Sequence, residues 1–435
     1  METGLVVIII TLALGVLLLA GVPVGFALGG GAVAGVLYLW GFKGLYMLAN
    51  TAYADSTSFI LLAVPLFIFM SNVLKNTGLA DDLYEMVYKW LGQIPGGLAA
   101  GTVVICAIFA AMAGISSVAT ISMGLIALPS MLKRGYSKDI ATGCISAGGA
   151  LGILIPPSII MIIYGSMAEV SIGKLFMGGI IPGILMAVIF CVYILVRCFF
   201  NPKLGPPVID KYTMKEKLVA CKGVVLPAVL IILVLGSIYT GAATPTEAAG
   251  IGALGSLICA MVQRRATVKN IKDALISTVS LNAMVLWIMI GAVAFTHVLA
   301  YAGVPDMVKQ GIDYLDMGRW WVLAGMQLTF FLLGMVLDPA GIIMLTTPIF
   351  VPIVKELGFD PVWFGILFTI NMEMAYITPP FGFNLFIMKG VVPPGIHMVD
   401  IYRSIVPFVV LQAVCLLMVI FWPDLALWLP NLTGK

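Results

Sequence analysis

A chain of 435 residues with 61% hydrophobic and 10% charged side chains is unlike soluble domains, in which about a quarter of residues are charged; it reads as a polytopic membrane protein. A net charge of +3 is too small to gather nucleic acid. The seven cysteines lie mostly in apolar segments without a CxxC pattern, and both histidines are isolated, which excludes a disulfide or metal framework as the organising principle.

The first apolar run follows Met1-Glu2-Thr3 without a basic leader and is read as a membrane helix. Apolar segments are predicted at 5–20, 22–40, 58–76 and 97–113, and Leu79–Leu91 is polar and amphipathic enough to lie in the membrane plane. The stretch 114–132 carries the hydroxyls Ser116, Ser117, Thr120 and Ser122 between Gly114 and Gly124, and closes at Pro129 before the basic turn Lys133-Arg134. With no charge inside it, a re-entrant helical hairpin is expected.

A helix predicted over 138–169 runs into Gly152-Ile-Leu-Ile-Pro156-Pro157. Proline has no N–H and clashes with the carbonyl one turn back, so the Gly152 and Ile153 carbonyls lose their helical donors. Hydrocarbon cannot satisfy them, so the break must be buried in protein or line a wet cavity. Freed carbonyls facing hydroxyls suit a small hard cation, and the helix restarting after Pro157 turns its N–H end toward an anion. A simple proline kink with Ser/Thr back-bonding is the plainer alternative.

After an apolar segment at 173–199, a polar linker at 201–222 is crowded with Lys203, Lys211, Lys215, Lys217 and Lys222. The order then recurs: 223–240, 245–262, 281–301, an in-plane stretch Val304–Leu315, then 320–336, a hairpin at 338–354, a broken helix at 361–388, and 404–429. Pro129 with Pro352, Gly135 with Gly358, Pro156 with Pro379 and Pro157 with Pro380 all share one offset of 223 residues. Pro379 and Pro380 accordingly free the Ala375 and Tyr376 carbonyls. Residues 1–200 thus form a first repeat, with scaffold helices in 1–113, a hairpin and broken helix in 114–169 and a connecting helix in 173–200. Residues 223–435 form a second, with scaffold helices in 223–336, a hairpin and broken helix in 338–390 and the last helix in 404–429. Basic clusters in the linker and at Arg264, Arg265, Lys269 and Lys272 put both loops on the cytoplasmic side. Six crossings per half would make the repeats parallel, whereas inversion needs an odd number.

Thr244-Pro245-Thr246-Glu247 fits a capping box, so Glu247 is read as a cap. Asp338-Pro339 has the same cap reading; an ionisable group at the bilayer centre costs about 2.5–3.5 kcal/mol, so Asp338 and Glu373 are functional candidates if they lie deep.

Gly114-Ile-Ser-Ser-Val-Ala-Thr-Ile-Ser-Met-Gly124, Gly149-Ala-Leu-Gly-Ile-Leu-Ile-Pro-Pro-Ser-Ile159, the segment from Gly241 to Ala253, and Asn371-Met-Glu-Met-Ala-Tyr-Ile-Thr-Pro-Pro-Phe-Gly-Phe-Asn384 together resemble the large membrane (M) subunit of tripartite ATP-independent periplasmic (TRAP) transporters. The resemblance spans essentially the whole chain. It implies an all-α fold of two inverted repeats within the ion-transporter superfamily, worked by an elevator-type mechanism in the bacterial inner membrane. It implies sodium-coupled import of an organic acid brought by a periplasmic binding protein, with a small four-helix Q subunit beside the scaffold and no cofactor beyond the coupling ion. It places one sodium region at Ser116, Ser117 and Thr120 with backbone near Gly148, Gly149 and Gly152. A second falls at Gly341, Thr346 and Thr347 with backbone near Thr378. Substrate is expected near Ser116, Ser158, Asp338 and Asn384, between the breaks at Pro156-Pro157 and Pro379-Pro380. A one-component sodium/carboxylate transporter and an intramembrane enzyme using Asp338 and Glu373 are the competing expectations.

Overall fold

A computed structural model of the chain describes residues 12–17, 20–114, 116–210, 212–304, 306–307, 310–311, 318–335, 337–380 and 382–432. All regular structure among them is helical, and eight helices are long and apolar enough to cross a membrane, nine if the pair Ile60–Asn76 and Leu79–Leu91, bent by 62°, counts as one span. The expected segments 5–20 and Val304–Leu315 fall largely outside the described residues.

One group of helices comprises α1 (Val24–Trp40), α2 (Leu45–Ser56), α3 (Ala63–Asn76), α4 (Leu79–Leu91), α10 (Met214–Tyr239), α11 (Pro245–Val262) and α12 (Val268–Tyr301). Helix α1 lies along α12, and α3 wedges between α11 and α12. Polar pins fix the wedge: Asn72 Nδ2 donates to Thr278 Oγ1 (3.1 Å), and Arg265 donates to the Thr77 carbonyl (2.8 Å) and to Asp82 (2.6 Å). The lipid-facing stripe of α10 is apolar at helical spacing, with Val225, Val229 and Ile232 exposed, as a helix face in hydrocarbon must be.

The second group holds α5 (Gly97–Ala113), α6 (Ser116–Lys133), α7 (Lys138–Ala150), α8 (Ile159–Met167), α9 (Ile172–Phe200), α13 (Arg319–Gly334), α14 (Pro339–Glu356), α15 (Pro361–Tyr376), α16 (Phe383–Val391), α17 (Met398–Phe421) and α18 (Asp424–Leu432). Here the hairpins prove longer than expected. Residues 116–133 are one helix, and its antiparallel arm is α5: the chain turns at Gly114 (φ +59°) and the far ends meet where Tyr136 Oη accepts from the Leu98 amide. The second hairpin likewise pairs α13 with α14, Trp320 stacking edge-on against Phe359 at 5.2 Å. Both first arms had been expected as apolar helices preceding the hairpins, because apolar residues all round them leave no face by which to tell which neighbour they pair with.

Other boundaries shift for local reasons. The polar linker ends at Thr213, whose capping box with Glu216 starts α10 ahead of its apolar run. Thr267 caps α12 at Asn270, so the polar stretch before 281 is helical too. The last apolar segment is two helices, split where Trp422 precedes Pro423. The predicted capping box at Thr244 and Glu247, with Pro245 at the first helical position, is present.

Glycines at corresponding places in the two halves share backbone conformation: Gly135 and Gly358 at φ +81° and +74°, and Gly78 before α4 and Gly303 after α12 at +74° and +73°. These left-handed turns are open to glycine at no steric cost. Both Pro-Pro bonds are cis.

Candidate functional site

Each predicted broken helix is broken. After α7 a 3₁₀ turn, Leu151–Ile153, leads through Pro156-Pro157 to α8, and α15 ends at Tyr376 before α16 restarts at Phe383. The two interrupted helices pack side by side, α15 lying against the first break and α8, and α16 against α7 and α6. The first break is buried, while Pro379 is half-buried and Pro380 exposed.

Local chemistry already uses some of the expected free groups. Ser158 Oγ donates to the Ile153 carbonyl at 2.5 Å and accepts from the Met161 amide at 3.4 Å. The Ile153 carbonyl is therefore not bare, and Ser158, expected at the substrate, spends its hydroxyl bridging the break. The Ala375 carbonyl accepts the Thr378 amide at 3.1 Å, because a tightened last turn recovers a donor that proline removed. Ser158→Ala is expected to cost about 1–3 kcal/mol by stranding a buried carbonyl, read as a lower melting temperature of the purified protein.

The tip of the first hairpin is docked on the first break. A Cβ at Gly114 would sit 2.5 Å from the Pro157 carbonyl oxygen, and the Gly114 carbonyl accepts the Ile159 amide at 3.5 Å. Just beyond, Ser116 Oγ is buried without a partner, Ser117 is half-buried, and Thr120 Oγ1 donates weakly to the Ser116 carbonyl at 3.4 Å. Gly149 faces Thr120 so closely that a Cβ there would lie 1.9 Å from Oγ1, and Gly148 packs on Cys106. Gly152 is buried within the 3₁₀ turn.

At the second tip Asp338 caps α14, Oδ1 accepting the Ala340 amide and Oδ2 the Gly341 amide, both at 3.1 Å. Gly341 packs against Val24 of α1. Thr346 Oγ1 is back-bonded to the Ile342 carbonyl (2.7 Å) and Thr378 Oγ1 to Met374 (2.7 Å), while Thr347 is buried. Asn384 is fully buried, donating to the Ser146 carbonyl at 2.7 Å and so tying the second broken helix to the first.

Two features converge at the tips. A cavity of about 100 Å³ is lined by Gly114 and Ser116 from the first tip, Asp338 from the second, Ile153 and Ile159 at the first break, and Tyr376 at the second. Asp338 also borders a second cavity of about 130 Å³ with Gly382 and Phe383. A carboxylate and an unpaired hydroxyl in a largely apolar chamber can hold a cation, and the capped helix starts around it favour an anion nearby. Leu281 and Met284 of α12 complete the wall; plain apolar residues, they carry no signal in sequence. Glu373 is bonded instead to Gln412 on α17 and lines neither of these cavities.

The chain along most of its length is similar to known proteins. Residues 11–425 fit the family model described as the DctM component of the tripartite ATP-independent periplasmic transporter. A C4-dicarboxylate TRAP transporter large permease of Pseudomonas aeruginosa is 34% identical over 89% of this chain and 90% of its own. An isethionate TRAP transporter permease of Oleidesulfovibrio alaskensis, DctMQ, is 31% identical over 94% of this chain and 64% of its own. The YdaH transporter of Alcanivorax borkumensis shares the fold, with a TM-score of 0.62 at 16% identity and 90% coverage of each chain. Relatives named as permeases, eight membrane-length helices and a match over nearly the full length describe a multi-pass inner-membrane transport subunit and not an enzyme. The chain belongs to the DctM component family of the tripartite ATP-independent periplasmic transporters.

Proposed function

We propose that this subunit couples inward sodium movement to import of an organic acid released to it by a periplasmic binding protein, with a small membrane Q subunit alongside. What supports this most is the chamber in which Ser116 and Asp338, from the two hairpin tips, meet both helix breaks. Sodium takes hydroxyl, carboxylate and carbonyl oxygens, which Ser116, Ser117 and Thr120 with the Gly148–Gly152 backbone offer on one side. Gly341, Thr346, Thr347 and Thr378 offer them on the other. Two of the relatives' named cargoes, C4-dicarboxylate and isethionate, are anions and a third, ectoine, carries a carboxylate; the helix starts and bound cations would hold such an acidic group without a buried arginine. The hairpins, broken helices and α9 with α17 form the moving body, and α1–α4 with α10–α12 the fixed one, in elevator fashion. Two sodium ions with a monoanion carry one net positive charge inward, worth about 2.3 kcal/mol per 100 mV.

The test is uptake into vesicles holding this chain and its small subunit, with the binding protein supplied outside. Ser117→Ala and Thr120→Ala are expected to raise the sodium concentration for half-maximal uptake about tenfold, equivalent to about 1.4 kcal/mol, with a smaller loss of melting stability than of sodium dependence. Unaltered sodium dependence in both variants would overturn the sodium assignment, and uptake without the binding protein would favour a one-component carrier.

A further inference from the structure

Glu373 and Gln412 sit face to face between α15 and α17, each 0% exposed. Gln412 Nε2 donates to Glu373 Oε1 at 3.1 Å, and the atoms left over, Glu373 Oε2 and Gln412 Oε1, are both buried and without a partner. The same α15 helix offers an internal comparison. Asn371 Nδ2 donates to Gln327 Oε1 at 3.0 Å, leaving Asn371 Oδ1 and Gln327 Nε2. That amide pair leaves an acceptor and a donor, which are complementary. The acid pair leaves two acceptors, which are not, and two unpaired buried oxygens, one of them on a charge, are heavily penalised in a membrane interior.

We propose that Glu373 and Gln412 form a proton-binding site: Glu373 carries a proton on Oε2 and donates it to Gln412 Oε1, closing an acid–amide ring. No bond to a further residue is needed. Among the described residues the surroundings supply no counter-charge. Cys415, one turn along α17, is the titratable side chain facing Glu373, and its thiol is directed at the Pro182 carbonyl of α9 at 4.0 Å. The charged residues on the packed helices lie at or near their ends: Lys138 and Asp139 on α7, Lys174 and Arg197 on α9, Arg319 on α13, Lys355 and Glu356 on α14, Lys389 on α16, Asp400 and Arg403 on α17, and Asp424 on α18. Tyr164 of α8 bonds the Pro361 carbonyl at the opposite end of α15. A neutral ring lets this helix interface sit in, and move through, a low-dielectric environment with no isolated charge.

Infrared spectra of the reconstituted protein at neutral pH test the site. A protonated carboxylic C=O band that shifts in D₂O and is missing in Glu373→Gln is the expected result. Glu373→Gln, which replaces the ring with a self-satisfied amide pair, should melt at or above the wild type, whereas Gln412→Leu should melt lower. A carboxylate band in place of the acid band would overturn the proposal. So would wild-type melting that rises with sodium and loses that rise in Glu373→Gln, since a cation would then occupy the pair.

Discussion

Uptake is expected to fall about a hundredfold in Asp338→Asn while the protein folds and melts as the wild type does. Asparagine caps a helix about as well as aspartate: its single carbonyl oxygen keeps an amide bond at the start of α14, although the NH2 group that replaces the second carboxylate oxygen cannot accept, as the carboxylate does from both the Ala340 and Gly341 amides. The charge goes, with one of the two acceptor oxygens. If that carboxylate holds a cation in the chamber it shares with Ser116, losing it removes about 2–3 kcal/mol of charge-assisted interaction. Asp338→Ala should lose the same activity and, in addition, about 1 kcal/mol of capping stability. Vesicle uptake paired with melting separates the two roles: normal uptake in Asp338→Asn would reduce this residue to a helix cap.

Gly149→Ala should be strongly damaging for a single-methyl change. Its Cβ would stand 1.9 Å from Thr120 Oγ1 and 3.2 Å from the Thr120 amide nitrogen. Thr120 is fully buried and has nowhere to turn. Relief must come from separating α6 from α7, which costs about 1–3 kcal/mol or more and displaces the hairpin tip from the break. Lower melting and loss of uptake are expected together. Thr120→Ala in the same chain should recover part of the stability, as expected for residues in contact. Gly30→Ala, where no atom lies within 4 Å of the new carbon, serves as the neutral control. Wild-type melting in Gly149→Ala would show that the hairpin and the broken helix are not close-packed there.

Much of the local punctuation could be read directly from residue types. The cap at Thr244, the cap at Asp338 and the breaks at Pro156-Pro157 and Pro379-Pro380 depend on hydrogen bonds within a few residues, so the side chains present specify them. The equal spacing of glycines and prolines in the two halves belongs to the same class, since the need for a left-handed turn at Gly135 or Gly358 is local. What the breaks do with their carbonyls was less legible. Ser158 reaches back to Ile153 and Thr378 to Ala375, and these small rearrangements depend on how the chain relaxes around each proline.

Membrane character, the positions of the two interruptions and their repetition were thus written in composition and spacing, because hydropathy and proline geometry act residue by residue. Which helices pair into hairpins, that Ser116 and Asp338 share one chamber, and that Glu373 turns away toward Gln412 instead of joining them were decided only when the chain packed. Those outcomes rest on contacts between apolar faces far apart in the chain, and such faces, alike in sequence, acquire distinct partners only through shape in three dimensions.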